Sequence, residues 1–161
     1  MDDDLLGAIY ERENRSLIGM LWVFTGDKTM AEDLAQEAFV RLAMSWHRVR
    51  DPNLASSYLR SIAFNLARSE FRRAEVAQRH RATVASVPSA EVDALLNESE
   101  RAMVAVLRVL PDRQRECLVL RYYADLEPRQ IASTLGLSVN SVKTHVRRGL
   151  EALRDSMGDA R

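Results

Sequence analysis

Cysteine is almost absent from this chain of 161 residues: Cys117 stands alone. One cysteine cannot close an internal disulfide or build a thiolate zinc cluster. It lies in an apolar helical run, where a small core residue is expected. Glycine and proline are scarce, with 6 and 4 residues, which argues against a loop-rich or all-β fold. Lysine is scarcer still: of 23 basic residues only Lys28 and Lys143 are not arginine. Positive charge therefore comes almost entirely as planar guanidinium forks, which suit phosphates and stack on bases. His47, His80 and His145 are scattered without metal-ligand spacing, and there is no Gly-rich phosphate loop. Neither a catalytic residue nor a metal or other cofactor is expected. No apolar run reaches membrane-spanning length and the N-terminus is acidic, unlike a signal peptide, so a cytoplasmic protein without membrane insertion is expected.

The formal net charge is zero, but its distribution is uneven. Residues 1–40 hold nine acids against three bases, whereas residues 56–82 hold six Arg against Glu70 and Glu75. An acidic face and a basic face imply two different partners.

The most informative stretch is Leu126–Leu153. Pro128 suits the first turn of a helix, and Ile131, Ala132 and Leu135 give that helix an apolar face. Gly136 sits where the chain must reverse, and Ser138 is a good N-cap for the next helix. Val142, Val146, Leu150 and Leu153 line the second helix's inner face. Ser138, Asn140, Ser141, Lys143, Thr144, Arg147 and Arg148 are left to meet base edges and phosphates. This is a helix-turn-helix pattern.

Upstream, apolar periodicity predicts helices over Leu5–Phe24, Met30–Trp46 and Leu54–Arg79. Thr29 and Glu32 have the spacing of a capping box. On the third helix Ala55, Leu59, Ile62, Ala63, Leu66 and Ala67 form the expected buried stripe. Tyr58, Arg60, Phe64, Asn65, Arg68, Phe71, Arg72 and Arg73 lie largely off it, with core an equal alternative for Phe71. Arginines interleaved with aromatics and an amide suit unstacked single-stranded bases. Pro88 within Ser86–Ser89 marks the best linker. Val92 to Leu110 is an amphipathic helix, Pro111 breaks it, and Asp112 is placed to cap a helix over Arg113–Tyr123. The expected architecture is all-α: two small helical domains joined by a flexible linker, over residues 1–81, 82–92 and 93–161, the second carrying the helix-turn-helix.

Four motifs now fall in order: Asp33–Leu42, Tyr58–Ala67, Leu110–Glu116 and the helix-turn-helix. Together the chain resembles bacterial sigma factors, best the small extracytoplasmic-function (ECF) class. The resemblance implies an N-terminal domain that binds core RNA polymerase and melts the promoter −10 element. It implies a C-terminal domain that reads the −35 element. By position, Asp33, Gln36, Glu37 and Arg41 fall on the segment that docks on the clamp helices of the polymerase's largest subunit. Arg60, Phe64, Asn65, Arg68, Arg72 and Arg73 fall on the −10 segment. The helix-turn-helix residues named above fall on the −35 helix, with the polymerase flap as a second docking point. An anti-sigma protein is a further implied partner. The chain departs from the family's common pattern at Tyr58, usually Trp, and at Phe64, usually basic. The alternative is a helix-turn-helix regulator of the response-regulator or quorum-sensing type, whose recognition helix Ser141–Arg148 resembles. Such proteins carry an upstream domain with strands, and no strand pattern precedes this helix-turn-helix.

Overall fold

The computed structural model describes residues 2–80 and 98–158. Among these, every regular element is helical. The proposed linker, 82–92, and the first residues of the second domain lie outside the described residues.

α1 spans Asp2–Thr25 and buries Leu17, Met20, Leu21 and Phe24. Gly26, at φ +74°, takes the left-handed conformation that stops it. Asp27 is extended and its carboxylate accepts from the Met30 N–H at 3.1 Å, so α2 begins at Lys28 and runs to Met44. The expected Thr29–Glu32 capping box does not form, because Asp27 caps the helix two residues earlier. α2 buries Ala31, Leu34, Ala35, Ala38 and Leu42. Alanines on this face let α1 and α3 approach closely. The expected continuation to Trp46 is replaced by a short 3-10 turn, Trp46–Arg48. A second one, Pro52–Leu54, is capped by Asp51. α3 then spans Ala55–His80. Its stripe is Ala55, Leu59, Ala63, Phe64 and Ala67, with Ile62 and Leu66 only half-buried.

In the C-terminal half, α4 spans Glu98–Arg108, α5 Asp112–Leu118, α6 Pro128–Leu135 and α7 Val139–Gly158. The single helix expected over Arg113–Tyr123 changes to a wider π-type turn at Val119–Tyr123. Asp112 does not cap it. Pro111 holds that position, and Asp112 accepts from Arg115 Nη2 at 2.8 Å. α6 carries a reciprocal cap in which Gln130 Oε1 accepts from the Glu127 N–H at 2.9 Å. Gly136, at φ +68°, turns the chain, and the Ser138 hydroxyl accepts from the Ser141 N–H at 3.1 Å to start α7. At Gly149 the Leu118 side chain comes so near that an added Cβ would lie 2.8 Å from it, so α7 and α5 pack closely.

The two halves share one buried cluster running from Ile9 to Val142. The Arg115 guanidinium lies 4.7 Å over the Phe24 ring. Ser61 Oγ donates to the Thr134 carbonyl at 2.8 Å, joining α3 to α6.

Candidate nucleic-acid and protein interfaces

The −35 candidates lie on and just before α7. Asn140, Lys143, Arg147 and Arg148 are exposed, Thr144 is half-buried, and Val142 is fully buried on the opposite side. Apolar burial thus fixes the helix's rotation and aims the polar set outward. Ser138 and Ser141 are bonded to each other at 2.9 Å within the cap. They set where the helix begins. His145 is half-buried on α7, and its Nδ1 is enclosed without a partner.

Sequence reasoning missed two arginines here. A cleft of about 350 Å³ runs beside α7, with Lys143 and Arg147 joined by Arg121 from the π turn and Arg154 from the helix's last turns. Arg121 Nη1 also donates to the Leu126 carbonyl at 3.3 Å, which steadies it. The change from α to π at Val119 gives no sequence signal, and that turn is what delivers Arg121. Four cations against the one carboxylate of Glu151, around an apolar floor of Val146 and Leu150, leave a net positive lining that suits a sugar-phosphate backbone.

The −10 candidates divide into two groups. Asn65, Arg72 and Arg73 are exposed, with Arg73 3.3 Å from Glu70. Arg60 is largely covered and lies 3.6 Å from Glu13. Arg68 is held by Glu116 at 3.0 Å. Phe64 is a correction to the sequence reading: it is fully buried, edge-on to Phe24, and offers no surface to a base in this arrangement. It turns inward onto Phe24 of α1, between Ser61 and Arg68, which contact the C-terminal half, while Ile62 and Leu66 are only half-buried. Among the described aromatic side chains of α3, the one available for stacking is Tyr58, 41% exposed; the side chain of Phe71 lies outside those described. Tyr58 stands between two clefts of about 330 and 320 Å³. One is bordered by Arg41, Asn65 and Ser69, and the other by Arg48, Arg50 and Leu54. Arg48 and Arg50 were missed as site residues. Their signal was two arginines placed just before the Asp51–Pro52 break.

On α2, Asp33, Gln36, Glu37 and Arg41 are all exposed, with Glu37 and Arg41 paired at 3.0 Å. Val40 and Met44 are exposed on the same face, at 52% and 75%. Positions 33, 36, 37, 40 and 44 follow helical spacing, so acids and uncovered apolar side chains form one stripe. An acidic stripe with an apolar margin has the chemistry that a protein-docking surface needs. The exposed Val40 and Met44 were the missed part of it.

Cys117 is buried, and desolvation, reinforced by Glu116 and opposed by Arg113, pushes its thiol up to about 12. Burial likewise lowers the pKa of Arg115, against the raising influence of Asp112 and Glu116. Among the described residues no three His, Cys, Asp or Glu side chains converge as a metal site. No described helix is long and apolar enough to cross a membrane.

Sequence models of known families match both halves in order: Sigma-70 region 2 over residues 9–76 and Sigma-70 region 4 over residues 100–153. The chain is 33% identical over 133 residues to the RNA polymerase sigma-E factor of Streptomyces avermitilis, covering 81% of this chain and 73% of that protein. It is 30% identical to the ECF RNA polymerase sigma factor SigW of Bacillus subtilis, covering 98% and 91%. Its fold is similar to the sigma factor RpoE of Bartonella quintana, solved with the anti-sigma factor NepR, at a TM-score of 0.72 and 18% identity over 98% of this chain and 94% of that one. It is also similar to CnrH, solved with the cytosolic domain of CnrY, at a TM-score of 0.70 and 23% identity over 96% and 88%. The region 2 match spans the half that the alternative regulator class would fill with a strand-containing domain, and this sets that alternative aside. With both regions matched in order and full-length relatives at this identity, the chain belongs to the ECF sigma factors of bacterial RNA polymerase.

Proposed function

We propose that this sigma factor divides promoter recognition between its two halves, residues 1–81 and 93–161, joined by residues 82–92. The function is to bind core RNA polymerase and direct transcription initiation, with no bond chemistry of its own, in the cytoplasm. Asp33, Gln36, Glu37 and Arg41, with Val40 and Met44, dock on the clamp helices of the largest subunit, and the C-terminal half docks on the flap. Asn65, Arg72 and Arg73, with Tyr58, capture unstacked −10 bases, and Arg60 and Arg68 join them once released from their present partners. Stacking on an aromatic ring contributes about 1–3 kcal/mol per base. Asn140, Lys143, Thr144 and Arg148 read the −35 element, where each good bidentate base contact is worth about 1–3 kcal/mol, and Arg147 grips the backbone beside them. Each grip alone is weak, and polymerase converts them into one strong bivalent contact by fixing their spacing. An anti-sigma protein is the expected antagonist, in line with the NepR partner of the similar RpoE structure.

The observation that carries this reading is the outward polar-basic face of α7, set on a buried apolar face in the half matched by Sigma-70 region 4. Run-off transcription with core polymerase on a random promoter library tests it. The expected outcome is enrichment of start sites sharing two motifs at one spacing. Start sites no different from those of core polymerase alone would remove the proposed division of labour.

A further inference from the structure

We infer that Arg41 of α2 holds a backbone phosphate of the single strand whose bases meet Tyr58 and Asn65 of α3, with Glu37 orienting the guanidinium for that contact. Arg41 belongs to the α2 docking set, yet of that set it alone borders the cleft of about 330 Å³ between α2 and α3. It stands one residue past Val40, which carries it about 100° around the helix from the stripe's middle and toward α3. Arg41 Nε donates to Glu37 Oε1 at 3.0 Å. This side-on contact uses Nε and leaves Nη1 and Nη2 pointing a fork past Glu37. A guanidinium fork of that kind matches two phosphate oxygens.

The other polar groups of the cleft say what it can take. Ser45 Oγ donates to the Arg41 carbonyl at 2.7 Å, and Ser69 Oγ donates to the Asn65 carbonyl at 3.0 Å. Both hydroxyl protons are thus spent on backbone. Asn65 Oδ1 accepts from Arg68 Nη1 at 3.4 Å, which leaves the Asn65 amide hydrogens as donors. No carboxylate lines the cleft, and half-buried Ile62 and Leu66 supply apolar surface beside the exposed Tyr58 ring. A fitting ligand carries an anion, an acceptor edge and a flat face, and a nucleotide has all three. Stacking on Tyr58 requires a base free of its own stack, so the nucleotide belongs to a single strand. The volume is near the lower end for small-ligand sites, enough for one nucleotide.

The inference rests on the −10 reading of Tyr58 and Asn65, and the test separates the two. The cleft is open in the free protein, so the full-length chain is titrated with a short single-stranded oligothymidylate, without polymerase. Nuclear magnetic resonance follows the Arg41 Nε–H and the Asn65 side-chain amide, which are expected to shift together. Arg41→Ala, at an exposed position, is expected to weaken binding about tenfold. It is also expected to lower the slope of log K against log salt by about 0.7, one phosphate contact on a single strand. Arg41→Lys keeps the charge and restores the slope. Arg15→Ala removes an exposed arginine of α1 and is expected to leave the slope unchanged. Glu37→Gln and Glu37→Ala both lose the carboxylate, but only glutamine still accepts from Nε. The glutamine variant is therefore expected to bind about twofold tighter, and the two become equal on an Arg41→Ala background. Equal binding of the two variants beside an intact Arg41 overturns the orienting role of Glu37. An Asn65 amide that shifts while Arg41→Ala leaves the slope unchanged, or lowers it no more than Arg15→Ala does, overturns the inference and spares the −10 reading. An Asn65 amide indifferent to oligothymidylate, with affinity unchanged in Tyr58→Ala, overturns that reading and the inference with it.

Discussion

The rings of Phe24 and Phe64 meet edge to face, with centroids 5.3 Å apart and planes at 62°. Both are buried, one from α1 and one from α3. The pair contributes area burial plus about 0.5–1.5 kcal/mol of ring geometry. Phe64→Ala is therefore expected to cost about 3–5 kcal/mol of stability. Asn65→Ala, one residue along and exposed, is expected to stay within about 0.5 kcal/mol while weakening −10 binding. Urea denaturation of both variants checks this. A Phe64→Ala chain as stable as the wild type would return Phe64 to the surface.

That residue shows where sequence reasoning reached and where it stopped. Periodicity put position 64 off the buried stripe and the family motif then carried it onto the DNA face, while helical spacing alone cannot say how wide a face α3 buries. Phe64 turned inward onto Phe24, a relation between residues far apart in sequence. The rotation of α7 was legible because Val142, Val146, Leu150 and Leu153 define one inner face and Gly136 demands a left-handed turn. The acidic residues of α2 were legible as a stripe, but Val40 and Met44 were assigned to neither face until the packing of Ala31, Ala35 and Ala38 showed which face α2 buries. Arg121 was hidden by a local widening from α to π that no spacing announces.

Cys117 links burial to pH. Its folded pKa is raised from 9.0 to about 12, first by desolvation. An acid whose folded pKa is raised keeps its proton longer in the native state than in the unfolded chain. Its contribution is whole below 9.0 and falls away as pH rises toward about 12. Wild type is therefore expected to lose more stability than Cys117→Ala across that window, so the gap between them narrows as pH rises. Parallel urea titrations at stepped pH measure the gap, and a constant gap would mean the thiol ionises as freely folded as unfolded.

Charge reversal on α2 isolates docking from folding. Asp33 and Glu37 are exposed, and the Glu37–Arg41 pair is an exposed i,i+4 contact worth about 0.3–0.5 kcal/mol. The Asp33→Lys/Glu37→Lys chain is expected to melt within a few degrees of wild type. It is also expected to lose most of its capture of core polymerase. Full capture by the folded double variant would remove these carboxylates from the interface.

Arg147 tests the other grip, and the salt dependence of binding tells its two possible roles apart. Arg147 is exposed on α7 and borders the cleft it shares with Arg121, Lys143 and Arg154. A phosphate contact releases about one counterion, so its loss lowers the slope of log K against log salt by about one and weakens every sequence alike. A base-edge contact instead costs about 1–3 kcal/mol on the cognate site and relaxes preference at one position. The cleft places Arg147 beside three other cations over an apolar floor, the setting of a backbone contact. Arg147→Ala is therefore expected to reduce the slope by about one with little change in sequence preference. Arg121→Ala, on the same cleft, should do the same. Titrations of a −35 duplex over a salt series, repeated on a singly substituted duplex, measure both quantities. An unchanged slope with relaxed preference would move Arg147 from the backbone to a base edge, and no change in either would take it off the DNA.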